Sequence, residues 1–375
     1  MLTLEGCRAR QMRFRERLAS EGIDAVVISD SRDIYYFTGL LLSAYPAFEF
    51  PAFFYMETDG GSWLAANTDE GEAAVDDRIV YASHVMYTMN PDPMRGLNKV
   101  VAKRLKTCKS PGRLGWQQET MPKLLADSVA GILDANWVPI DDLLVAQQVK
   151  KDKDEVALLQ KAIDINLKAY EAIQEMIAPG VNELDVLAAG QREAFHAAEY
   201  VLHHGGDYRC AELGGPARNR AIQAGELYII DAQTEYHGYW SDLCRTFSVS
   251  EPTDLQGSVY EMLAAILKDV PNLVQPGSKG TDLWQTIDAR IREHEHLKDV
   301  GLIHHAGHGV GIRAHEPPDL NRDREGIFEV GNVFSCEPGA YSTELKGGIR
   351  LENTFLVTED GVKNLTDFPL QLSKA

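Results

Sequence analysis

The sequence predicts an α+β protein of two domains: a smaller α/β domain at the N-terminus, then a larger β-rich domain led in by long helices. Three observations predict it. Short apolar strand-like runs alternate with helical stretches as far as residue 140. A charged stretch, Lys150-Lys-Asp-Lys-Asp-Glu155, then opens a long segment with helical periodicity. Beyond a second helix, period-two apolar runs and turn residues dominate. A chain of 375 residues is long enough for two sizeable cores, and the expected domains are 1–145 and 146–375.

In chain order, residues 5–22 read as an amphipathic helix and Asp24-Ala-Val-Val-Ile-Ser29 as a short strand. The apolar segment Ile34-Tyr-Tyr-Phe-Thr-Gly39 follows. Strands are expected at Phe53–Met56, Trp63–Ala66 and Arg113–Trp116, and helices over 93–107 and 119–134. The aromatic segment Tyr45–Tyr55 reads as core or interface. The long helix spans Asp154 to Ile177, with Val156, Leu159, Ala162, Ile163, Leu167, Tyr170, Ile173 and Ile177 on its apolar stripe, and Pro179-Gly180 stops it. A second helix covers 183–199, and a further pair lies near 257–297.

Composition narrows the function classes. Lys plus Arg is 37 and Asp plus Glu is 56, a net charge of −19. Such a surface repels nucleic acid and anionic membranes. The five cysteines are scattered without a CxxC pair, which reads as reduced thiols in a cytoplasmic protein. No run approaches the roughly 20 apolar residues of a membrane span, and the N-terminus is charged from Arg8 onward rather than shaped as a signal peptide.

The most informative feature is a pair of aspartates, Asp231 and Asp242, within Leu227–Phe247. The flanks read as two antiparallel strands with Glu235-Tyr236-His237-Gly238 as the turn. A symmetric loop puts Asp231 opposite Asp242, with Cβ atoms about 5 Å apart on one face. Two carboxylates there repel one another unless a cation sits between them. His304-His-Ala-Gly-His308-Gly-Val-Gly-Ile-Arg-Ala-His315 adds imidazoles, the commonest side-chain ligands of divalent ions, although a glycine-rich turn with solvated histidines has the same composition. Glu337 ends the apolar strand Val333-Phe-Ser-Cys, and Pro-Gly breaks it. Ile349–Val357 alternates with period two, so Arg350 and Glu352 share a face. Taken singly, each of these also suits a solvated edge.

Taken together they resemble the pita-bread metallohydrolase family, which includes methionine aminopeptidase, aminopeptidase P, Xaa-Pro dipeptidase and creatinase. The matching motifs are Ile230-Asp231, Gly238-Tyr239, Ser241-Asp242, Arg245-Thr246, Gly307-His308-Gly309-Val310-Gly311, Glu337-Pro338-Gly339 and Arg350-Leu351-Glu352-Asn353. The resemblance covers residues 150–370. Asp24-Ala-Val-Val-Ile and Tyr36-Phe-Thr-Gly39 resemble the companion N-terminal domain of the creatinase, dipeptidase and aminopeptidase P branch. The implied fold is a C-terminal pita-bread domain behind a creatinase-type α/β domain. The implied cofactor is two divalent metal ions, with Asp231 on one, His308 and Glu337 on the other, and Asp242 and Glu352 bridging. Mn²⁺ is the first choice, and Co²⁺, Fe²⁺ or Zn²⁺ also suit four hard oxygen ligands and one imidazole. Glu337 is the implied general base as well as a ligand. His315 is the implied donor to an oxyanion or substrate carboxylate, His304 lines the pocket, and Arg350 holds a substrate carboxylate. The implied activity is hydrolysis of a C–N bond in a short peptide or small molecule, by a homodimer in which one protomer's N-terminal domain covers the other's site.

One departure stands out. The family's peptidases carry a histidine about seventeen residues before the first metal aspartate, and Gly214 stands there; His203 and His204 are offset by about ten residues. The leading reading is an Xaa-Pro dipeptidase or aminopeptidase. Glycine at that position supports the alternative of a non-peptidase relative acting on a ring amide or amidine or as a lyase. A non-catalytic binding module is the third reading, weighed against by the presence of all five ligands. The glycine predicts weak cleavage of Xaa-Pro dipeptides.

Overall fold

The structure is a computed structural model that describes residues 1–42, 50–82 and 92–373. Residues 45–49 of the aromatic Tyr45–Tyr55 segment lie outside the described residues. Two compact units emerge, Met1–Gln148 and Val149–Ala375.

The first unit contains α1 (Leu4–Ser20), β1 (Ala25–Ile28), α2 (Ser31–Thr38), β2 (Phe53–Glu57), β3 (Ser62–Ala66), β4 (Asp77–Val80), α3 (Pro93–Leu105), β5 (Arg113–Trp116), α4 (Lys123–Ala130), β6 (Asn136–Pro139) and α5 (Asp141–Gln148). Among the described residues its strands form one mixed sheet in the order β4-β3-β2-β1-β5-β6. All of β1 is buried, because helices cover both faces. Val101, Leu125 and Val129 pack with Val27 and Tyr55 on one side, and Phe14, Phe37 and Phe54 stack on the other. The apolar segment Ile34–Gly39 is largely the helix α2. Asp30 caps its N-terminus and Gly39 ends it with φ 74°, a backbone that glycine adopts without strain.

The second unit contains α6 (Lys153–Met176), α7 (Glu183–Ala198), β7 (His204–Cys210), β8 (Leu227–Tyr236), β9 (Tyr239–Ser248), α8 (Asp254–Leu273), α9 (Gly280–Arg292), β10 (Gly307–Gly309), β11 (Glu316–Leu320), β12 (Val333–Cys336), β13 (Gly339–Ser342), β14 (Gly347–Arg350), β15 (Asn353–Thr358) and β16 (Gly361–Asn364). Two halves repeat one theme, a helix pair against antiparallel strands. In the first, α6 and α7 bury Ile165, Tyr170, Ile173 and Val186 against β7-β8-β9. In the second, α8 and α9 bury Leu263, Leu267, Ile287 and Ile291 against β11-β10-β12-β15-β16 and the β13-β14 hairpin. Helix α6 does more than cover the sheet. Its Asn166 and Tyr170 donate to the carbonyls of Ala232 (2.6 Å) and Ile230 (2.8 Å), the two residues flanking Asp231. The five cysteines are free thiols, and no helix among the described residues is long and apolar enough to cross a membrane.

Candidate metal centre

The β8–β9 hairpin departs from the expected register. Its two-residue loop is His237-Gly238, both with positive φ (47° and 82°), the pairing that matches strand twist in tight hairpins. Asp231 therefore lies opposite Cys244, and Asp242 opposite Gln233. This register differs by two residues from a loop centred one position earlier. An even shift keeps every side chain on its own face, so the two aspartates are diagonal rather than direct neighbours and still share a face.

The remaining residues arrive from separate elements. His308 sits in β10 between Gly307 and Gly309. A Cβ on either glycine would fall 2.0 Å from the Ser335 carbonyl or 2.1 Å from that of Pro317, so only glycine lets β10 run between β11 and β12. Glu337 follows β12, and its amide donates to the Ala306 carbonyl (2.8 Å). Glu352 lies where β14 and β15 meet. The expected continuous strand Ile349–Val357 is interrupted there, and β9 holds the interruption in place. The Glu352 amide donates to the Cys244 carbonyl (2.9 Å), and Thr246 Oγ1 both accepts from the Arg350 amide and donates to its carbonyl, each at 3.0 Å. Buried Arg245 donates to the Glu352 carbonyl at 2.5 Å and to Asn353 Oδ1 at 2.8 Å. The Arg245-Thr246 motif is thus a clamp that fixes the backbone around Glu352.

All five expected ligands converge on one cavity of about 420 Å³. Donor atoms of Asp231, Asp242 and Glu352 lie within 4.8 Å of one another, as do those of His308, Glu337 and Glu352. His308 Nε2 is 3.6 Å from both Asp242 Oδ2 and Glu337 Oε1. Its Nδ1 is 3.0 Å from the Gly309 carbonyl, an acceptor that fixes the proton on Nδ1 and leaves Nε2 with its lone pair toward the carboxylates. Burial lowers the His308 pKa to about 3, so the ring is neutral and able to ligate. Gln233 Nε2 donates to Asp242 Oδ2 (2.8 Å). Asp242 Oδ1 and both Glu352 oxygens are buried without a hydrogen-bond partner among the described residues.

Those orphaned oxygens test whether the residues fit divalent ions. Unpaired buried acceptors are costly, and burial with mutual repulsion pushes the Asp242 and Glu352 carboxyls well above their usual range. Glu337 is raised to about 8, first by burial and then by Asp231. Cations placed among them remove both costs, and hard oxygen donors with one imidazole suit such ions.

The other expected residues are also on the cavity wall. His304 Nε2 meets the Tyr341 hydroxyl (2.8 Å). The His315 ring stacks on His308 with centroids 3.6 Å apart, close enough for its donor atom to join those of Asp242 and His308. Arg350, expected to hold a substrate carboxylate, is engaged within the protein: Nε donates to Asp231 Oδ2 (2.9 Å), Nη2 to Asp207 Oδ2 (2.5 Å), and Nη1 to the Leu213 carbonyl and Tyr341 hydroxyl (3.3 Å each), while Nη2 also lies in ion-pair contact with Asp231 Oδ2 (2.7 Å). A guanidinium has five N–H donors, and four of them are used in these hydrogen bonds.

Sequence reasoning passed over Asp207, His305 and Tyr341. His305 Nδ1 lies 3.3 Å from Glu337 Oε1; the His304-His305 doublet was its signal. Asp207 is the direct strand partner of Asp231, a register that no local pattern reveals. It also accounts for Gly214: a Cβ there would fall 2.1 Å from Asp207 Oδ2, on a backbone with φ 141°. His204 is no substitute for a histidine at that point. It is buried in β7 between Thr234 and Tyr208.

Comparison with known proteins agrees with this geometry. Residues 157–359, more than half of the chain, match the model of metallopeptidase family M24. Residues 10–148 match the creatinase/prolidase N-terminal domain. An Xaa-Pro dipeptidase of Pyrococcus furiosus is 33% identical over 240 residues, 60% of this chain and 66% of that protein, just under two thirds of its length. An uncharacterised peptidase of Bacillus subtilis is 30% identical over 269 residues, 69% of this chain and 74% of that one. Among solved structures, a prolidase from Pyrococcus furiosus superposes with TM-score 0.75 at 26% identity, covering 95% of this chain and 99% of that one. A prolidase from Pyrococcus horikoshii OT3 gives TM-score 0.79 at 23% identity, with 97% and 99% covered. These similarities favour peptidase chemistry over the small-molecule and binding-module readings. With its catalytic-domain match spanning the whole carboxylate–histidine cluster, the chain belongs to metallopeptidase family M24, whose members work with divalent metal ions.

Proposed function

We propose that this protein is a two-metal peptidase that hydrolyses the amide bond of Xaa-Pro dipeptides and short peptides. The observation that carries the proposal is the convergence of five candidate ligands around buried carboxylate oxygens that have no hydrogen-bond partner among the described residues. Asp231 would hold one ion, His308 and Glu337 the other, and Asp242 and Glu352 both, with Mn²⁺ as the first choice. When bound, the ions polarise the scissile carbonyl and make a water nucleophilic at neutral pH.

The chain's own side chains do the rest. Glu337 Oε1 takes the proton of the attacking water and returns it to the leaving amine, as a carboxylate inside the pocket can. His315, lowered in pKa by burial, is a neutral donor beside His308 and stabilises the oxyanion as it forms. His304 is also neutral, its pKa lowered by burial to about 4, and the Tyr341 hydroxyl fixes its ring at the wall where substrate lies.

Protein loaded in turn with Mn²⁺, Co²⁺ and Zn²⁺ should release proline from Ala-Pro with at least one of them. A chelator should abolish the release, and added metal should restore it. Metal-loaded protein that cleaves no Xaa-Pro substrate would overturn the peptide assignment. We also propose a homodimer, on the likeness of both domains to the creatinase and prolidase type. Sedimentation at micromolar concentration should give about twice the 41.6 kDa chain mass, and a fully active monomer would contradict it.

A further inference from the structure

Asp207 is the one carboxylate of the cavity wall without a place in the ligand set. It lines the same cavity as the ligands, its side chain is about a third exposed (32%), and it pairs across the sheet with Asp231. Three observations fix what it does to that wall. It binds the Arg350 guanidinium, at 2.5 Å. With Asp231, Leu213 and Tyr341 it takes up four of the five N–H donors of Arg350, and Asp207 and Asp231 both pair with its charge. And its Oδ2 occupies the space beside Gly214 that any side chain at that position would need. A carboxylate approaching this wall therefore meets Asp207 and a guanidinium whose charge is already paired with two aspartates. A cation meets a partly solvated carboxylate. The apolar, exposed side chains of Leu213 and Ile303 flank it.

We propose that Asp207 is a specificity-determining residue that receives a cationic group of the substrate, the free ammonium of a short peptide in the simplest case. In the same proposal Arg350 is a positioning residue that holds Asp231, and no free carboxylate on the substrate is required. This deepens the peptidase reading and rests on it for the identity of the substrate. Like-charge repulsion and a charge-assisted hydrogen bond act in the same direction, and each is worth a factor of about ten or more in affinity.

The test compares two small probes, each titrated quickly enough that any hydrolysis is checked by product analysis: L-alaninamide, a cation without a carboxylate, and N-acetylalanine, an anion without an amine. Calorimetry on the metal-loaded protein gives their affinities for wild type and for Asp207→Asn, and elemental analysis accompanies each titration. Asp207→Asn should keep its metal, weaken alaninamide and strengthen N-acetylalanine, because a donor of Arg350 becomes available. The affinity ratio should shift by about tenfold or more. Any attraction of either probe to the metals is common to both proteins and cancels in that shift. A purely structural role for Asp207 would weaken both probes alike, and that outcome, or a ratio unchanged within about twofold, overturns the proposal. Failure of wild type to cleave peptides would count against the peptidase reading and leave this binding result standing.

Discussion

Metal-free protein carrying Glu352→Met should be more stable than metal-free wild type, and the order should reverse once metal is added. Glu352 is 1% exposed and, among the described residues, neither of its oxygens has a partner at good hydrogen-bond geometry. An apolar side chain of similar length removes that burden, which is worth about 1–3 kcal/mol for an unsatisfied buried polar group. In a unit of this size each kcal/mol moves the melting temperature by roughly 2–4 °C, so a rise of several degrees is expected. Metal then raises the melting temperature of wild type, because ligands that bind only the folded state stabilise it, and raises that of the variant far less. Loss of a ligand should weaken metal binding by more than the roughly 10–100-fold typical of residues that merely support ligands. The sign of the pH dependence follows from Glu337. Its pKa in the folded metal-free protein is raised from 4.5 to about 8, so the folded state binds more protons than the unfolded state within that window. Metal-free stability should therefore fall as pH rises from about 4.5 to about 8. Calorimetric scans of the two proteins, with and without metal, decide the matter. A variant less stable in both states would mean that Glu352 is a structural residue with a partner of its own.

The second large effect belongs to the proton-transfer residue. Glu337→Gln keeps the shape and one ligating oxygen but cannot accept a proton. Turnover should drop by about 10²–10⁴-fold, the usual worth of a positioned acid–base group. His315→Ala should lower kcat by about 10²–10³-fold as a lost oxyanion donor with metal content near wild type. The two variants separate roles when each is measured for metal and for kcat against KM. Loss of metal from His315→Ala would place that ring among the ligands, alongside Asp242 and His308, whose donor atoms it approaches.

How much of this was legible in the sequence depended on how local each feature is. The long helix was expected at Asp154–Ile177 and runs Lys153–Met176, because its apolar stripe repeats over six turns and Pro179-Gly180 marks its end. Helix α2 was not read as a helix. Every residue from Asp33 to Thr38 is buried, so there is no polar face to give a period, although Asp30 and Gly39 were readable caps. The short α5 gave too few turns for a pattern. In the hairpin the face of each aspartate was legible and the register was not, since His237-Gly238 closes the turn in place of the longer loop expected. All five ligand candidates sit on sharp local signals: a strand flanked by turn residues, a histidine between glycines, a carboxylate before Pro-Gly. Asp207 has no such signal. Its significance comes from strand pairing with Asp231 and from a guanidinium 143 residues away, and the same long-range contact engages Arg350, the expected substrate clamp, with Asp207 and Asp231.

The central claim is that the five converging side chains hold two cations. Elemental analysis of protein loaded with Mn²⁺ and freed of excess by gel filtration tests it most directly. Wild type should retain about two ions per chain, the stoichiometry of a two-metal hydrolase, and Asp242→Ala with Glu352→Ala should retain almost none while staying folded. Wild-type protein that retains no metal, and hydrolyses its substrate as well with a chelator present as without, would contradict it.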